Sequence, residues 1–309
     1  MVFNDSGRLA NLKPNLKRRA EICQYARMYF QERDFLEVDT PIRVPVVAPE
    51  LFITPITSDD WFLSTSPELY MKRLLAAGYT RLFQFCHCFR KGERGRRHNP
   101  EFTMLEWYRS GGDYLQMVAD TEQIVFTLAQ KFKMGSRIKY QGQSIDLSLP
   151  WPRITVREAF LKNAGWDPVA APDPLRFDTD LCDKVIPGFA ADRPTVILDY
   201  PLPMAALARL KPGEPQVAER AEIFIGGLEL ANAYSELIDR QEQEKRFRLE
   251  IEQIKKEYSR NTALPQKFLE AMATLPECGG IALGIDRLVM LFCDAGSIDD
   301  VMPFTVDTV

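Results

Sequence analysis

Phe85-Cys86-His87-Cys88-Phe89-Arg90-Lys91-Gly92-Glu93-Arg94-Gly95-Arg96-Arg97-His98-Asn99-Pro100-Glu101-Phe102-Thr103-Met104-Leu105-Glu106-Trp107-Tyr108 reads as strand, loop, strand. The first strand closes on an arginine, and the loop from Arg90 to Arg97 holds five basic residues against one acid. On the return strand, alternation puts Glu106 and Tyr108 on one face and Trp107 on the other. Guanidinium forks match phosphate oxygens in pairs, so a mobile basic loop can close over a polyphosphate without a glycine-rich cradle. A run of arginines is equally the mark of a solvated face or a nucleic-acid patch, and the rest of the chain has to decide between them.

The chain has 309 residues, 46% hydrophobic and 27% charged, enough to bury a large core and inside the ordinary globular range. No apolar run approaches the ~20 residues of a membrane span, and the polar, basic stretch from Met1 to Arg18 lacks the apolar middle of a signal peptide, so the expected location is cytoplasmic. Six cysteines are too sparse for a disulfide framework. Cys86 and Cys88 flank His87, but the other histidine is His98 and no second Cys pair stands at zinc spacing, so a buried strand accounts for them better than a metal. The net charge of −4 argues mildly against holding a whole tRNA.

Leu16, Ala20, Cys23, Ala26 and Phe30 recur at helical spacing and predict an amphipathic helix over 16–33. Ser66-Pro67-Glu68 is a helix start: serine can cap and proline suits the first turn, with Gly78 as the stop. A third helix is predicted over 114–132. Lys133 to Arg193 has turns and little periodicity and reads as a small insertion or subdomain in an otherwise single domain. Thr195–Tyr200 is a strand, Ile223–Leu230 a hairpin turning at Gly226-Gly227, and Gln241–Tyr258 a helix. Strands, a hairpin and flanking helices without regular βαβ alternation predict an α+β fold on a mainly antiparallel sheet.

In the hairpin, a two-residue turn pairs Phe224 with Glu229 and Glu222 with Ala231, so Glu222 and Glu229 lie diagonally on one face. They read either as a magnesium site beside a nucleotide or as an exposed acidic pair. Beyond them Asn232, Tyr234 and Glu236 share one parity, which strict alternation sets opposite Glu229. A bulge or strong twist near Ala231 is needed to bring them to one pocket. Gly284-Ile285-Asp286-Arg287 is a strand-to-helix turn with Arg287 in the first helical turn, where the helix dipole favours anions.

Phe-Arg, a basic loop, then Arg97-His98-Asn99-Pro100-Glu101-Phe102-Thr103-Met104-Leu105-Glu106 resembles motif 2 of class II aminoacyl-tRNA synthetases in its lysyl form. Phe35-Leu36-Glu37-Val38-Asp39-Thr40-Pro41 resembles motif 1, and Gly279-Gly280-Ile281-Ala282-Leu283-Gly284-Ile285-Asp286-Arg287 motif 3, in the family's order and across nearly the whole chain. The resemblance implies the class II catalytic fold and a homodimer built on the segment from Leu16 to Pro41. It implies ATP as cofactor, held by Arg90, Lys91, Gly92, Glu93, His98, Asn99, Phe102, Glu229, Leu230, Gly284 and Arg287. Of these, Arg90 and Arg287 act on the phosphates, and Phe102 stacks on adenine. Glu222 and Glu229 are implied as carboxylates for Mg²⁺. Ser66, Pro67, Glu68, Tyr108, Asn232, Glu236 and Ala282 are implied around an amino acid with a long amine.

Two features depart from the lysyl-tRNA synthetases. Motif 1 begins near residue 35, leaving no room before it for an anticodon-binding barrel, and Ala282 stands where those enzymes have glycine. Both features resemble the elongation factor P lysine ligase family, truncated paralogues that adenylate (R)-β-lysine and transfer it to a lysine of elongation factor P. That resemblance implies elongation factor P and (R)-β-lysine as partners and no stable tRNA binding. Arg90-Lys91-Gly92-Glu93 differs from the family's Arg-Asn-Glu-Glu, which leaves Glu93 to serve for the lost glutamate. A tRNA-charging or adenylate-releasing enzyme and an idle amino-acid-binding regulator are the rival expectations, and no general base for the transfer is legible.

Overall fold

The computed structural model describes residues 5–309. Helix α1, Asp5–Gln31, starts earlier than its periodicity predicts and runs through Pro14. Its buried stripe is Leu12, Ile22, Ala26, Tyr29 and Phe30, and Ala20 of the expected stripe is exposed. Two neighbouring stripes on α1 satisfy helical spacing, and packing on the sheet selects the one carrying the aromatic rings: Phe30 stacks on Phe83 at 4.7 Å and meets Trp107 at 5.2 Å.

The main sheet has nine strands among the described residues. They are β1 Leu36–Glu37, β2 Arg81–Phe89, β3 Glu101–Ser110, β4 Arg153–Thr155, β5 Thr195–Pro201, β6 Leu210–Lys211, β7 Glu214–Ile225, β8 Leu228–Ser235 and β9 Cys278–Gly284. Their spatial order is β1-β2-β3-β9-β8-β7-β5-β4, with β6 beside β7. The pairs β1–β2 and β4–β5 are parallel and the rest antiparallel, as the α+β expectation requires.

The further helices are α2 Glu68–Ala76, α3 Tyr114–Lys131, α4 Val156–Asn163, α5 Pro174–Asp180, α6 Arg240–Tyr258, α7 Gln266–Ala271 and α8 Ile285–Cys293. Side chains of α1, α3 and α8 pack with Leu105, Trp107, Ala233 and Ile281 of the sheet in the main core. On the opposite face α2, α6 and α7 close one end through Leu75, Phe247 and Phe268, and the remainder is open.

The 133–193 segment, expected as an insertion, is built into this body. Its hairpin, Arg137–Tyr140 with Gln143–Asp146, and Trp151 contribute Ile138, Tyr140, Ile145 and the indole to the main core. Strand β4 extends the sheet beside β5, and Phe160 of α4 and Phe177 of α5 pack against Tyr200 and Phe224. Among the described residues no helix is long and apolar enough to cross a membrane.

Candidate active site

The open face of the sheet holds a cavity of about 1380 Å³. Alternation on β3 sends Leu105 and Trp107 into the core and Met104, Glu106 and Tyr108 into this cavity. On β8 a bulge brings the second set of side chains in. Phe224 pairs with Glu229 as expected, but Ile223 pairs with Ala231 and Glu222 with Asn232, one residue on from the predicted Glu222–Ala231 pair. The extra residue, Leu230, resolves the parity conflict seen in the sequence: Glu229, Asn232 and Tyr234 all line the cavity.

At one end stand the phosphate-binding candidates. Arg90 Nε donates to the Thr65 carbonyl at 3.4 Å, its Nη1 lies 3.5 Å from Glu93 Oε1, and its guanidinium sits 5.1 Å from the Phe102 ring centre. Glu93 thus does engage Arg90. Lys91 and Gly92 are exposed, Gly92 at φ +86°, where the loop needs a left-handed residue. Arg287 donates to the Glu229 carbonyl at 2.7 Å and to His98 Nε2 at 2.6 Å. Burial and the Arg287 charge hold His98 below its usual range, so its ring is a neutral acceptor. Asn99 is buried, with Nδ2 donating to the Glu101 carbonyl at 2.6 Å and Oδ1 accepting from Val306 N–H at 2.9 Å, so both ends of its amide hold the loop to the C-terminal segment. Gly284 starts α8 and lines the cavity beneath Arg287.

Arg220, Glu229 and Asn232 line the wall; Glu222 does not, being buried, and it is not a free ligand pair with Glu229. Its Oε1 accepts from Arg220 at 2.6 Å and from Asn232 Nδ2 at 3.4 Å, while Asn232 Oδ1 accepts from Arg220 Nε at 3.3 Å. Burial pushes the Glu222 carboxyl up; Arg220 pulls it down and the Glu229 charge pushes it up again. Of the two carboxylates Glu229 lines the cavity, and a cation shared by both and by phosphate oxygens would have to take the place of Arg220 at Glu222. Among the described residues no three His, Cys, Asp or Glu side chains are placed so as to hold a metal ion by themselves.

The other end is acidic. Ser66 Oγ accepts from the Glu68 N–H at 3.0 Å and donates to Glu106 Oε1 at 2.7 Å, so the start of α2 is tied to β3 while Pro67 takes helical φ and ψ of −77° and −3°. Tyr108 donates to Glu106 Oε2 at 2.9 Å. Glu68 and Glu236, expected to await a substrate amine, both contact Lys72 Nζ, whose side chain is 1% exposed. A Cβ at residue 280 would collide with the Glu236 carboxylate and the Tyr108 ring, so glycine there is what lets them lean across β9. Burial alone pulls Lys72 down, and Glu236 and Glu68 more than reverse it, so the ammonium stays charged.

One ammonium does not balance three carboxylates. Burial, then the Glu68 charge, pushes Glu106 up to about 7 against the Ser66 and Tyr108 hydrogen bonds. Burial pushes Glu236 up to about 8, with Lys72 opposing and Glu68 and Glu106 adding to it. The cluster is short of positive charge, which a ligand amine could supply. Ala282 is paired with Glu106 on one side and Asn232 on the other, so its methyl lies on the floor between the acidic end and the Arg220 knot.

Residues 3–308 match the family described as tRNA synthetases class II (D, K and N). The chain belongs to that family. Within it, the elongation factor P–(R)-β-lysine ligase of Salmonella gallinarum is 37% identical over 311 residues, 95% of each chain. That of Haemophilus influenzae is 37% identical over 313 residues, 96% of each, and that of Salmonella typhi 34% identical over 327 residues, 95% of each.

Within this class II frame, Lys72, Glu106 and Arg220 are the side chains that sequence reasoning did not put in the site. Signals existed for two of them. Lys72 stands four residues after Glu68 on one helix face, and Glu106 shares a strand face with Tyr108. Arg220 gave none, because its partner across the strands depends on the bulge.

Proposed function

We propose that this class II protein activates (R)-β-lysine with ATP as the aminoacyl-adenylate and transfers it to a lysine side chain of elongation factor P. The observation that carries the reading is the cavity's polarity: three carboxylates sharing a single lysine at one end, Arg90 and Arg287 at the other. A diamino acid with its amines among Glu68, Glu106 and Glu236 extends its carboxylate toward Arg90. The carboxylate attacks the α-phosphorus in line, Arg90 stabilises the charge that develops, and pyrophosphate leaves toward Arg287 and His98. Glu222 and Glu229 would hold Mg²⁺, which when bound neutralises phosphate charge and orients the leaving group.

Ala282 supports the β-isomer, since its methyl occupies floor space that glycine would leave to an α-amino group. The same residue weighs against a lysine-charging tRNA synthetase, and the intact Arg90 and Arg287 weigh against an idle binder. Exposed Met28 of α1, Leu36 on the open edge strand β1, and Ile42 support a homodimer on that side. A cytoplasmic location and the absence of stable tRNA binding belong to the same reading.

Pyrophosphate exchange tests it. Exchange driven by (R)-β-lysine in preference to α-lysine is expected; no exchange with either amino acid contradicts the proposal.

A further inference from the structure

The acid cluster and the phosphate clamp leave one half-buried acid of the cavity wall without a task. Glu50 lies on the connection between the short strands Arg43–Val44 and Thr57–Ser58, just before a turn at Leu51 and Phe52, and it lines the cavity half-buried. Its carboxylate makes no hydrogen bond or ion pair with another described residue. By contrast Glu68 is engaged by Lys72, Glu106 by Ser66 and Tyr108, Glu93 by Arg90, and Glu250 by the Leu51 N–H at 2.8 Å. The Glu250 bond ties the connection to α6, and Lys91 N–H, donating to the Thr54 carbonyl at 2.7 Å, ties it to the Arg90 loop. Glu50 is therefore held in place by its backbone while its carboxylate stays free.

Glu50 lines the same cavity as Glu68 at the amine end and Arg90 at the phosphate end. The charges of both reach it, as do those of Glu250 of α6 and Arg220 of β7. On the reading above, the carbonyl of a bound aminoacyl-adenylate stands between those two ends. We propose that Glu50 is the general base of the transfer step, taking the proton from the ε-ammonium of the acceptor lysine as it reaches that carbonyl. The inference rests on the protein-lysine ligase reading above.

The balance is closed. Glu50 takes one proton, and the freed amine attacks the acyl carbon and forms the C–N bond. The C–O bond to AMP breaks with its electron pair going to the phosphate, and the second nitrogen proton leaves to that phosphate or to water. Nothing is oxidised or reduced. Burial, then the Glu68 charge, raises the Glu50 carboxyl to about 7, with Arg90 opposing, so at neutral pH it is divided between a form that accepts a proton and one that releases it.

The test is Glu50→Gln in the full chain, with ATP, (R)-β-lysine and elongation factor P. Pyrophosphate exchange is expected to stay within about threefold of wild type while single-turnover transfer falls about a hundredfold or more and loses its acid limb near pH 7. Hydroxylamine, neutral at that pH and needing no base, should still capture the adenylate at the wild-type rate. Unchanged transfer overturns the proposal, and so does an equal loss in exchange or in hydroxylamine capture, since either marks a binding role. Absence of exchange in the wild type removes the ligase reading itself and the base with it.

Discussion

Ala282 is paired with Glu106 and Asn232 and bears the one methyl group that separates this floor from a glycine floor. Ala282→Gly is expected to raise kcat/KM for α-lysine relative to (R)-β-lysine by about tenfold, the scale of one methyl group in a packed pocket. An equal change for both isomers would mean the methyl only packs behind the site. At Lys72 the outcome is one of stability. Lys72→Met leaves the buried Glu236 and its neighbour Glu68 without their shared cation, a loss of about 3–5 kcal/mol when both are ionised. Glu236 and Glu106 are raised groups, so their folded forms hold protons that the unfolded chain releases, and they favour the fold more as pH falls through about 8 and 7. The Lys72→Met deficit, read by urea unfolding, should therefore shrink between pH 8.5 and about pH 6; a deficit equal at both would contradict it. For the same reason KM for the amino acid should rise as pH drops below about 7, when Glu106 takes a proton and no longer receives an ammonium, and Glu106→Gln should flatten that dependence. Many of the residues that line the cavity were legible as residue types at motif spacing. That Glu68 and Glu236 already share a resident lysine was not, because the pairing joins α2 to the end of β8 across long sequence separation.

Among the elements, the turn at Gly226-Gly227 was legible, since two glycines between apolar strands specify a turn with positive φ at both positions, here +58° and +74°. The bulge beside it was legible only as a conflict of parity around Ala231; its place at Leu230 is set by the ladders on both sides of β8, which no local pattern encodes. The two glycines differ in a testable way. A Cβ at Gly226 meets the Tyr140 ring and one at Gly227 meets nothing, so Gly226→Ala should lower Tm clearly more than Gly227→Ala, whose cost is left-handed strain alone, about 1–3 kcal/mol at most. Equal losses would mean the 137–146 hairpin does not press on this turn. The 133–193 segment was the least legible part of the fold. Its elements are short, β4 is three residues long, and neither alternation nor helical period shows over such spans.

At the scale of the molecule, the sheet ends at β1, a two-residue strand whose Leu36 is half exposed, beside Met28 of α1. Sedimentation is expected to give a dimer at micromolar concentration, and Leu36→Glu should shift it toward monomer; a wild-type monomer would contradict the interface. Two ends of one cavity, an acid cluster that wants a diamino acid and an arginine pair that wants phosphates, define the central claim. Its most direct test is the intact mass of elongation factor P after incubation with this protein, ATP and (R)-β-lysine. The addition of one β-lysyl group on a lysine side chain is expected, dependent on ATP and abolished by Arg90→Ala. Unmodified elongation factor P, in a preparation that carries out pyrophosphate exchange with (R)-β-lysine, would contradict it.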